Sequence, residues 1–394
     1  MYGRVLGCRT QGERVRGHSR AMRDAPALSA IVVNYNTAPL TQRCVASLRD
    51  QEVHGPQGTE GVEILVVDNA SRPQDRQALA GLDAIILYNE ENRGYGAALN
   101  QACARASAEY ILFSNSDTWY CSGSLQALLD GLLHSPKCGA VGPRFWWDMN
   151  REFLLPPADP VTLVDYLLNA AAQRWPRGRR RRERRWRQRA LRHWQARKPL
   201  SQVMLSGACI LTRREVLAAC GGFDERFHLY YEDTDWCRRV RHDGYRLYYV
   251  PDAEVVHMYN QSARQQAAAA QQTFADSATR YFRKHYGNWL WGLASRITSH
   301  LPAPSSDEVD DCTDLGTLAE PPRCFLAGTT QQSRYLLLLS PLPSCIPAIA
   351  RFLAVPQIAL PLEVWKQMAE GDFYMQLLSL PDLRPLGKWC WRKG

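Results

Sequence analysis

The sequence has no long apolar run, although 45% of its residues are hydrophobic. A helix that spans a bilayer needs about 20 consecutive, mostly apolar residues. The most apolar stretch, residues 335–362, contains five prolines and Arg351. We therefore expect no spanning helix. Residues 1–27 are basic but have no apolar centre, which argues against a secretory signal and predicts a disordered tail.

Several motifs that would define other protein classes are also missing. The twelve cysteines include no C-x-x-C pair, which argues against a zinc site or a disulfide framework and favours a reduced, cytoplasmic location. There is no Walker A sequence, and no G-x-G-x-x-G follows a strand. No order of Ser, His and Asp, or of Cys and His, indicates a catalytic nucleophile.

The formal net charge of +9 comes from one basic segment, residues 174–198. This segment begins at Arg174, ends at Lys198, and holds twelve arginines and one lysine against Glu183, a net +12. The rest of the chain therefore carries about −3. Three tryptophans interrupt the arginines, at positions 175, 186 and 194.

Three interpretations of the basic segment are open. Arginine interleaved with tryptophan suits an anionic membrane surface, which would make the protein peripheral on the inner face of the membrane. The same composition could bind nucleic acid. It could also be a solvated helix or loop with no partner. Nucleic acid is the weakest of the three, because it leaves the acidic residues described below without a role.

Short β-branched runs alternate with helical patterns between residues 28 and 142. The apolar runs cover residues 29–33, 63–67, 84–87, 110–113 and 139–142. Strands that alternate with helices are typical of a doubly wound, mostly parallel α/β sheet with helices on both faces. We predict that fold class, with a small β-rich appendage near the C-terminus.

Polar residues follow three of these apolar runs directly. Asn34 comes after the first, Asp68 after the second and Asp117 after the fourth. In an open parallel sheet, the ligand crevice lies outside the carboxyl ends of the strands. One such residue alone would most often be a helix cap. Three of them predict a binding site at one edge of the sheet.

Three acids crowd into four residues at Glu232, Asp233 and Asp235. Carboxylates this close repel one another and are tolerated where a cation, a substrate or solvent offsets their charge. The alternative is a charged first turn of a helix, where acids favour the macrodipole. An apolar strand-like run follows and ends at His257.

Taken together, these segments resemble a family 2 glycosyltransferase of the GT-A fold, of the bacterial rhamnosyltransferase-like branch. The resemblance covers residues 28–257, with a helical tail to about residue 300. Each motif is weak alone, and their order and spacing make the match specific. The motifs are residues 31–36, 66–71, 92–96 with Asn100, 114–117, 206–210, 221–224 and 231–235.

The resemblance implies a nucleotide-sugar donor and a divalent metal, Mn²⁺ or Mg²⁺. Val33 and Asn34 match the positions that hold the base, and Asp68 the one that recognises the nucleoside. The D-x-D metal motif of the family appears as Asn115-Ser-Asp117, with an amide in place of its first acid. This leaves the metal dependent on Asp117, with His257 as a candidate second ligand. Two further residues, Asn92 and Gly207, match positions near the donor.

The resemblance also implies transfer with inversion to a hydroxyl of a glycan or lipid-linked acceptor. A carboxylate must then take the proton of the attacking hydroxyl. Asp233 is the expected general base. Glu232 is expected to orient the acceptor or to raise the pKa of the base by like-charge repulsion. Asp235, two residues further on, is expected to form salt bridges.

The expected domain organisation is a tail (1–27), a glycosyltransferase domain (28–300), an acidic Pro/Ser linker (301–322) and a small domain of unassigned role (323–394). A second hypothesis, a sugar nucleotidyltransferase, shares a related α/β sheet. It requires a glycine-rich phosphate loop after the first strand, and residues 33–37 have none. The sequence leaves the donor sugar, the acceptor and the oligomeric state open.

Overall fold

The computed structural model describes residues 25–172, 175–258, 267–301, 312–325, 334–355 and 357–394. Nearly all of the predicted basic tail lies outside these residues. So do residues 302–311 of the predicted acidic linker. Within the described residues, no helix is long and apolar enough to cross a membrane.

The first half of the chain alternates strands and helices as predicted. The elements up to the basic segment are β1 (Leu28–Asn34), α1 (Ala38–Arg49), β2 (Val62–Asn69), α2 (Pro73–Leu79), β3 (Ile85–Asn89), α3 (Tyr95–Cys103), β4 (Tyr110–Asn115), β5 (Thr118–Tyr120), α4 (Ser124–Leu133), β6 (Cys138–Trp146) and α5 (Leu163–Ala172). The five predicted strands all form, and each extends one or more residues beyond its apolar run.

The basic segment and the acidic motif both lie on helices. The elements that follow are α6 (Pro176–Trp194), β7 (Leu200–Gln202), β8 (Cys209–Arg213), α7 (Arg214–Cys220), α8 (Glu232–His242), β9 (Arg246–His257) and α9 (Ala267–Ser299). Helix α9 is kinked at Gly287, where the backbone has a positive φ. Glu232, Asp233 and Asp235 thus occupy the first turn of α8.

These strands build one sheet in the order β3-β2-β1-β4-β8-β6-β9-β5, with β7 paired to β9. The strands β3, β2, β1 and β4 are parallel. From β8 onward the sheet is mixed, because β8 runs antiparallel to both β4 and β6. The predicted α/β class, with helices on both faces and a C-terminal β-rich part, is confirmed.

A buried apolar layer covers each face of this sheet. Successive side chains of a strand point to opposite faces, so Val32 and Ile31 of β1 belong to different layers. Val32 packs in a cluster with Leu48 of α1 and Leu128 of α4. Ile31 packs in a cluster with residues of α3 and with Trp236 of α8. The helix that bears the acids is therefore anchored to the sheet by a fully buried tryptophan.

A second, five-stranded sheet forms the C-terminal part, in the order β10-β16-β15-β12-β13. The elements of this part are β10 (Thr313–Leu318), β11 (Arg323–Phe325), β12 (Arg334–Ser340), β13 (Ile349–Leu353), β14 (Gln357–Ala359), α10 (Leu362–Gln367), β15 (Gly371–Leu380) and β16 (Arg384–Lys393). Strand β10 falls inside the predicted linker and pairs with β16, so the described part of that segment is sheet. This strand lies at an exposed sheet edge and is rich in polar residues, which is why its composition predicted a linker.

The basic helix α6 packs against this second sheet. Trp186 and Trp194 are 5% and 3% exposed, in a cluster with Leu336, Leu338 and Leu378 of the sheet. Their rings meet edge to face with centroids 5.9 Å apart. Only Trp175 of the three tryptophans is exposed. The sequence-based picture of three tryptophans at a membrane surface is therefore wrong for two of them, because both fill the interface between α6 and the sheet.

Candidate functional site

The carboxyl ends of the parallel strands bring polar residues together, as predicted. Asn34 at the end of β1 is in register with Asp68 of β2, and Asp68 is in register with Tyr88 of β3. On the other side of β1, Val33 is in register with Asn115 of β4. Four of the predicted donor-side residues, Val33, Asn34, Asp68 and Asn115, thus occupy adjacent positions along one edge of the sheet.

Every hydrogen-bonding group of the Asn34 side chain has a partner within the protein. Its amide nitrogen donates to Asp68 Oδ1 (2.8 Å) and to Ser71 Oγ (2.9 Å). Its oxygen accepts from the hydroxyls of Thr37 (3.2 Å) and Thr41 (2.7 Å). Because Asn34 is buried and has no spare hydrogen-bonding capacity, its side chain positions Asp68 and the following loop.

Asp68 is completely buried and is held by a cation that the sequence analysis did not identify. Arg76 Nε lies 2.9 Å from Asp68 Oδ2. Arg76 sits on α2 and also donates to the backbone oxygen of Asn89 at the end of β3. The only sequence signal for Arg76 is its position eight residues after Asp68, one turn into a short helix.

Asn92 orders the loop that leads into α3. Its side-chain oxygen accepts from Asn69 Nδ2 (2.8 Å) and from the backbone N–H of Gly94 (3.0 Å). Gly94 has a φ of 87°, and a Cβ there would lie 2.6 Å from the backbone oxygen of His228. Only glycine satisfies both the positive φ and this close approach. The loop is thereby fixed against the segment just before α8.

Asp117 and His257 meet at the pairing of β5 with β9. The register places Thr118 opposite His257, and His257 Nε2 lies 3.2 Å from Asp117 Oδ1. Both residues are buried. Burial acts to raise the pKa of Asp117, but the neighbouring His257 outweighs it and the pKa falls below its ordinary value. Asp117 is therefore ionised at neutral pH.

These two side chains have the chemistry of a divalent-metal site with few protein ligands. A carboxylate oxygen and an imidazole nitrogen are both suitable donors for Mn²⁺. Within the described residues, no group of three or more His, Cys, Asp and Glu side chains could hold a metal ion. Any metal here would complete its coordination with phosphate oxygens and water, which is usual for metals that bind with substrate phosphates.

Asp233 is held in one orientation by backbone and side-chain donors. Its Oδ2 accepts from the N–H of Gly207 (2.8 Å), and its Oδ1 from the N–H of Thr234 (2.6 Å). A Cβ on residue 207 would lie 2.9 Å from that Oδ2, so only glycine leaves room for this carboxylate. Burial raises the pKa of Asp233 above its ordinary value, although these hydrogen bonds oppose the rise.

Glu232 is more deeply buried than Asp233 and has an unsatisfied carboxyl oxygen. Among the described residues, its Oε2 has no hydrogen-bond partner. Burial, and then the charge of Asp233, raises its pKa to about 8. The like-charge repulsion expected to act on Asp233 therefore acts on Glu232. At neutral pH, Glu232 is largely a neutral carboxylic acid.

The backbone just before these acids is strained. Tyr230 and Tyr231 have φ values of 67° and 70°, the left-handed region that non-glycine residues rarely adopt. Tyr231 packs against the rings of Phe274 and Tyr281 of α9, which hold the chain in this conformation. Such strain is concentrated at functional sites in proteins.

Tyr95 links the two halves of the site, and the sequence analysis assigned it no role. Its hydroxyl donates to the backbone oxygen of Gly207 (3.3 Å). Burial raises the pKa of Tyr95 well above its ordinary value, and the charges of Glu232, Asp233 and Asp117 raise it further. The charges of the α8 acids and of the metal candidate Asp117 thus act on the same phenol.

Asp235 has the salt-bridging role expected of it. It is completely buried and contacts Lys284 Nζ (2.6 Å), His285 Nε2 (2.7 Å) and Arg239 Nε (2.9 Å). Although burial acts to raise the pKa of Asp235, these partners lower it overall. Asp235 thus connects α8 to α9, and its ion pairs make it a structural residue and not a candidate base.

Comparison with known proteins places this arrangement in a family. The model described as Glycosyl transferase family 2 matches residues 29–221. The model described as Glycosyl transferase family group 2 matches residues 164–376, more than half of the chain. Together they extend over both acidic motifs and most of the C-terminal sheet.

Similar proteins include N-acetylglucosaminyl-diphospho-decaprenol L-rhamnosyltransferase of Mycobacterium tuberculosis H37Rv. It is 28% identical over 303 residues, which are 71% of this chain and 94% of that protein. The putative glycosyltransferase EpsH of Bacillus subtilis is 31% identical over 115 residues, 27% of this chain and 32% of that protein.

Among solved structures, the mannosyltransferase PcManGT from Pyrobaculum calidifontis, in complex with GDP-Man and Mn²⁺, is 20% identical. The match covers 72% of this chain and 81% of that one, with a TM-score of 0.41. From the family models and the rhamnosyltransferase relative, the chain belongs to the family 2 glycosyltransferases, in the rhamnosyltransferase-like branch.

Proposed function

We propose that this glycosyltransferase inverts the anomeric carbon of a nucleotide-sugar donor and uses Asp233 as the general base. The observation that carries the proposal is the position of Asp233. Its carboxylate is fixed by the N–H groups of Gly207 and Thr234. Tyr95 donates to the backbone oxygen of the same Gly207, and burial, together with the charges of both Asp233 and Asp117, raises the pKa of Tyr95. A base on one side of the site and a phosphate-binding group on the other is the arrangement that direct displacement requires.

On the donor side, Asp68 and Asn92 are the proposed contacts of the nucleoside, with Val33 and Asn115 bordering the same edge. Arg76 and Asn34 hold Asp68 in place. Asp117 and His257 would hold Mn²⁺ or Mg²⁺. The ion, when bound, offsets the charge that develops on the departing nucleoside diphosphate.

On the acceptor side, Asp233 takes the proton of the attacking hydroxyl. Its raised pKa brings its basicity nearer to neutral pH, where proton transfer is most effective. Glu232, protonated at neutral pH, has an oxygen atom with no partner in the described residues and can donate to or accept from a substrate hydroxyl. We assign Glu232 to orientation of the acceptor.

The acceptor is proposed to be a sugar linked through phosphate to a lipid. This follows the rhamnosyltransferase relative, whose name specifies a diphospho-decaprenol acceptor. A location at the inner face of a membrane fits such an acceptor. The basic segment would provide the attraction to anionic lipid through charge alone, because two of its tryptophans are buried.

The proposal is tested by transfer and donor hydrolysis with a panel of nucleotide sugars, including L-rhamnose donors, in Mn²⁺, Mg²⁺ and chelator. We expect release of the nucleoside diphosphate with one donor, with product of inverted anomeric configuration. Release of inorganic diphosphate from a nucleoside triphosphate would indicate a nucleotidyltransferase instead. Retained configuration at the anomeric carbon would contradict the displacement mechanism.

A further inference from the structure

A cavity of about 370 Å³ is lined by Thr234, the residue after the proposed base, and by none of the proposed donor residues. It is formed by one face of α8, the middle of α9 and the segment that leads into α5. Residues 234, 238 and 241 of α8 line it, and their spacing places them on the same side of the helix. The facing wall includes Thr162, Tyr281 and Tyr286.

Two arginines in this cavity have no acidic partner. Arg238 is half-buried, donates to Tyr286 Oη (2.7 Å) and Tyr281 Oη (3.4 Å), and stacks over the Tyr286 ring at 4.5 Å. Arg241 donates only to the backbone oxygen of Val203 (3.3 Å). In the part of the chain that the structure describes, no carboxylate lies within 4 Å of either guanidinium. Their neighbour Arg239, by contrast, is paired with Asp235 at 2.9 Å.

A half-buried arginine and an exposed one that line the same cavity, with no carboxylate partner among the described residues, are suited to bind an anion. The hydroxyls of Tyr281 and Tyr286 offset part of the cost of removing the Arg238 guanidinium from water, but they leave its charge unneutralised. The planar guanidinium also matches phosphate oxygens through paired N–H donors. Two such groups one turn apart on α8 are therefore suited to one phosphate or diphosphate.

Thr234 connects this cavity to the reaction. Its side chain lines the cavity, and its hydroxyl lies 3.2 Å from Asp233 Oδ1. A ligand with its phosphate at Arg238 and Arg241 would therefore have neighbouring groups close to the proposed base. The donor residues Asp68 and Asn92 do not line this cavity.

The helices that border the cavity expose apolar side chains. On α5, Val164 and Leu168 are 64% and 53% exposed. On α9, Trp289 is 75% exposed and Leu293 is 45% exposed. The two helices touch through Tyr166 and Trp291, whose ring centroids are 5.1 Å apart. A cationic cavity beside two exposed apolar helix faces favours an amphiphilic ligand over a free nucleotide.

We propose that the Arg238–Arg241 cavity binds the phosphate groups of the lipid-linked acceptor and so presents its sugar hydroxyl to Asp233. The lipid chain would lie along the exposed apolar residues of α5 and α9. This inference rests on the proposed function and adds to it a binding position for the phosphate groups of the acceptor.

The test is direct binding of farnesyl diphosphate, inorganic diphosphate and farnesol, measured by calorimetry in chelator. The variant Arg238→Gln/Arg241→Gln removes both charges. The matched control, Arg181→Gln/Arg185→Gln, removes the same charge from exposed positions of α6. The single variant Arg241→Gln changes an exposed residue, so it can be tested even if the double variant misfolds. The melting temperature of each variant shows whether it is folded.

We expect farnesyl diphosphate to bind the wild type and the control equally, and the cavity variant about 10-fold or more weakly, the ratio given by 1.4 kcal/mol. Inorganic diphosphate and farnesol should each bind more weakly than farnesyl diphosphate. Equal affinity in all proteins, or equal loss in the control, would overturn the inference.

Competition by the nucleoside diphosphate released from the donor would also overturn it, since the ligand would then occupy the donor site. Donor hydrolysis is measured separately on the same variants. If hydrolysis fails while farnesyl diphosphate binding remains sensitive to Arg238 and Arg241, the proposed function is wrong and the anion site stands. If donor hydrolysis is normal and farnesyl diphosphate binding is insensitive to Arg238 and Arg241, the anion site is wrong and the proposed function stands.

Discussion

At the scale of single residues, the adjacent carboxyls of Glu232 and Asp233 have different environments. Asp233 accepts hydrogen bonds from Gly207 and Thr234, which favour its charged form. Within the described residues, the buried Oε2 of Glu232 has no hydrogen-bond donor of any kind. Two neighbouring acids can divide roles when their surroundings separate their pKa values. Here the charged role falls to Asp233 and the neutral one to Glu232.

Asp233→Asn should abolish transfer while leaving donor binding nearly unchanged. The amide cannot accept the proton of the acceptor hydroxyl, and loss of a general base typically costs about 100- to 10,000-fold in rate. The measurement is kcat for transfer together with the Kd of the nucleotide sugar. A variant that transfers at near the wild-type rate would remove Asp233 from the mechanism.

Gly207→Ala tests whether transfer depends on the orientation of the Asp233 carboxylate, because it leaves Asp233 itself unchanged. The new Cβ would lie 2.9 Å from Asp233 Oδ2, closer than such atoms approach one another in proteins. We expect a loss of transfer with retained donor binding, accompanied by only a modest fall in melting temperature. The matched control is Gly292→Ala, because a Cβ at residue 292 has no atom within 4 Å and the backbone there has no positive φ. Gly61→Ala would be unsuitable, because Gly61 has a positive φ. Transfer by Gly207→Ala equal to that of Gly292→Ala would contradict the assigned contact.

Glu232→Gln should change how stability depends on pH. The pKa of Glu232 is raised in the folded state to about 8, so folding favours its protonated form. That contribution is complete below the ordinary carboxyl pKa of about 4.3 and is lost as pH rises through the folded value. The wild type should therefore lose stability relative to Glu232→Gln between about pH 5 and 8, on the order of a few kcal/mol. Chemical unfolding at several pH values measures the difference, and a constant difference would show that Glu232 is not protonated in the folded protein.

At the scale of elements, the sequence predicted the strand ends well. Of the three residues predicted at the edge, Asn34 and Asp68 end neighbouring parallel strands in register, and Asp117 follows the end of β4 by two residues. The pairing of β5 with β9 was not predictable from pattern, because β5 has only three residues and its partners lie far along the chain: Trp119 is opposite Val256 and Thr118 is opposite His257. Only the family resemblance connected Asp117 with His257.

Asp117→Ala should weaken donor binding mainly when metal is present, because the variant loses the carboxylate proposed to hold the ion. His257→Ala should have the same effect in milder form. The measurement is donor Kd with and without saturating Mn²⁺, and chelator should lower wild-type activity. Donor affinity equal to wild type in saturating Mn²⁺ for Asp117→Ala would show that the metal assignment is wrong.

At the scale of the whole molecule, the basic segment has a structural role that its composition conceals. Arginine content suggested an exposed surface, but Trp186 and Trp194 are buried against the C-terminal sheet. Several of its arginines contact other parts of the chain, among them Arg182 with Asn169, Arg187 with Gln376, and Arg189 with Asp159. No local pattern could reveal this, because the partner strands lie more than 140 residues later in the chain. The segment is thus both a solvated helix face and part of a core.

The charge of the exposed face remains available for a membrane. Six exposed arginines of α6 can be changed to glutamine without touching the engaged ones: Arg177, Arg180, Arg181, Arg184, Arg185 and Arg192. Basic residues near an anionic surface contribute about 1 kcal/mol each, so a few engaged arginines suffice for measurable binding. We therefore expect wild-type protein to co-sediment with anionic vesicles at low salt, and the six-arginine variant to remain in the supernatant.

Varying the salt concentration and the charge of the lipid distinguishes binding through the arginines of α6 from binding through exposed apolar side chains. Binding through arginine should weaken between low salt and physiological ionic strength, where the Debye length is only about 8 Å. Binding through the exposed apolar residues of α5 and α9 would instead persist in neutral vesicles and in the six-arginine variant. Equal sedimentation of both proteins with anionic vesicles would therefore exclude α6 as the membrane contact, since the charge on its exposed face would have made no difference.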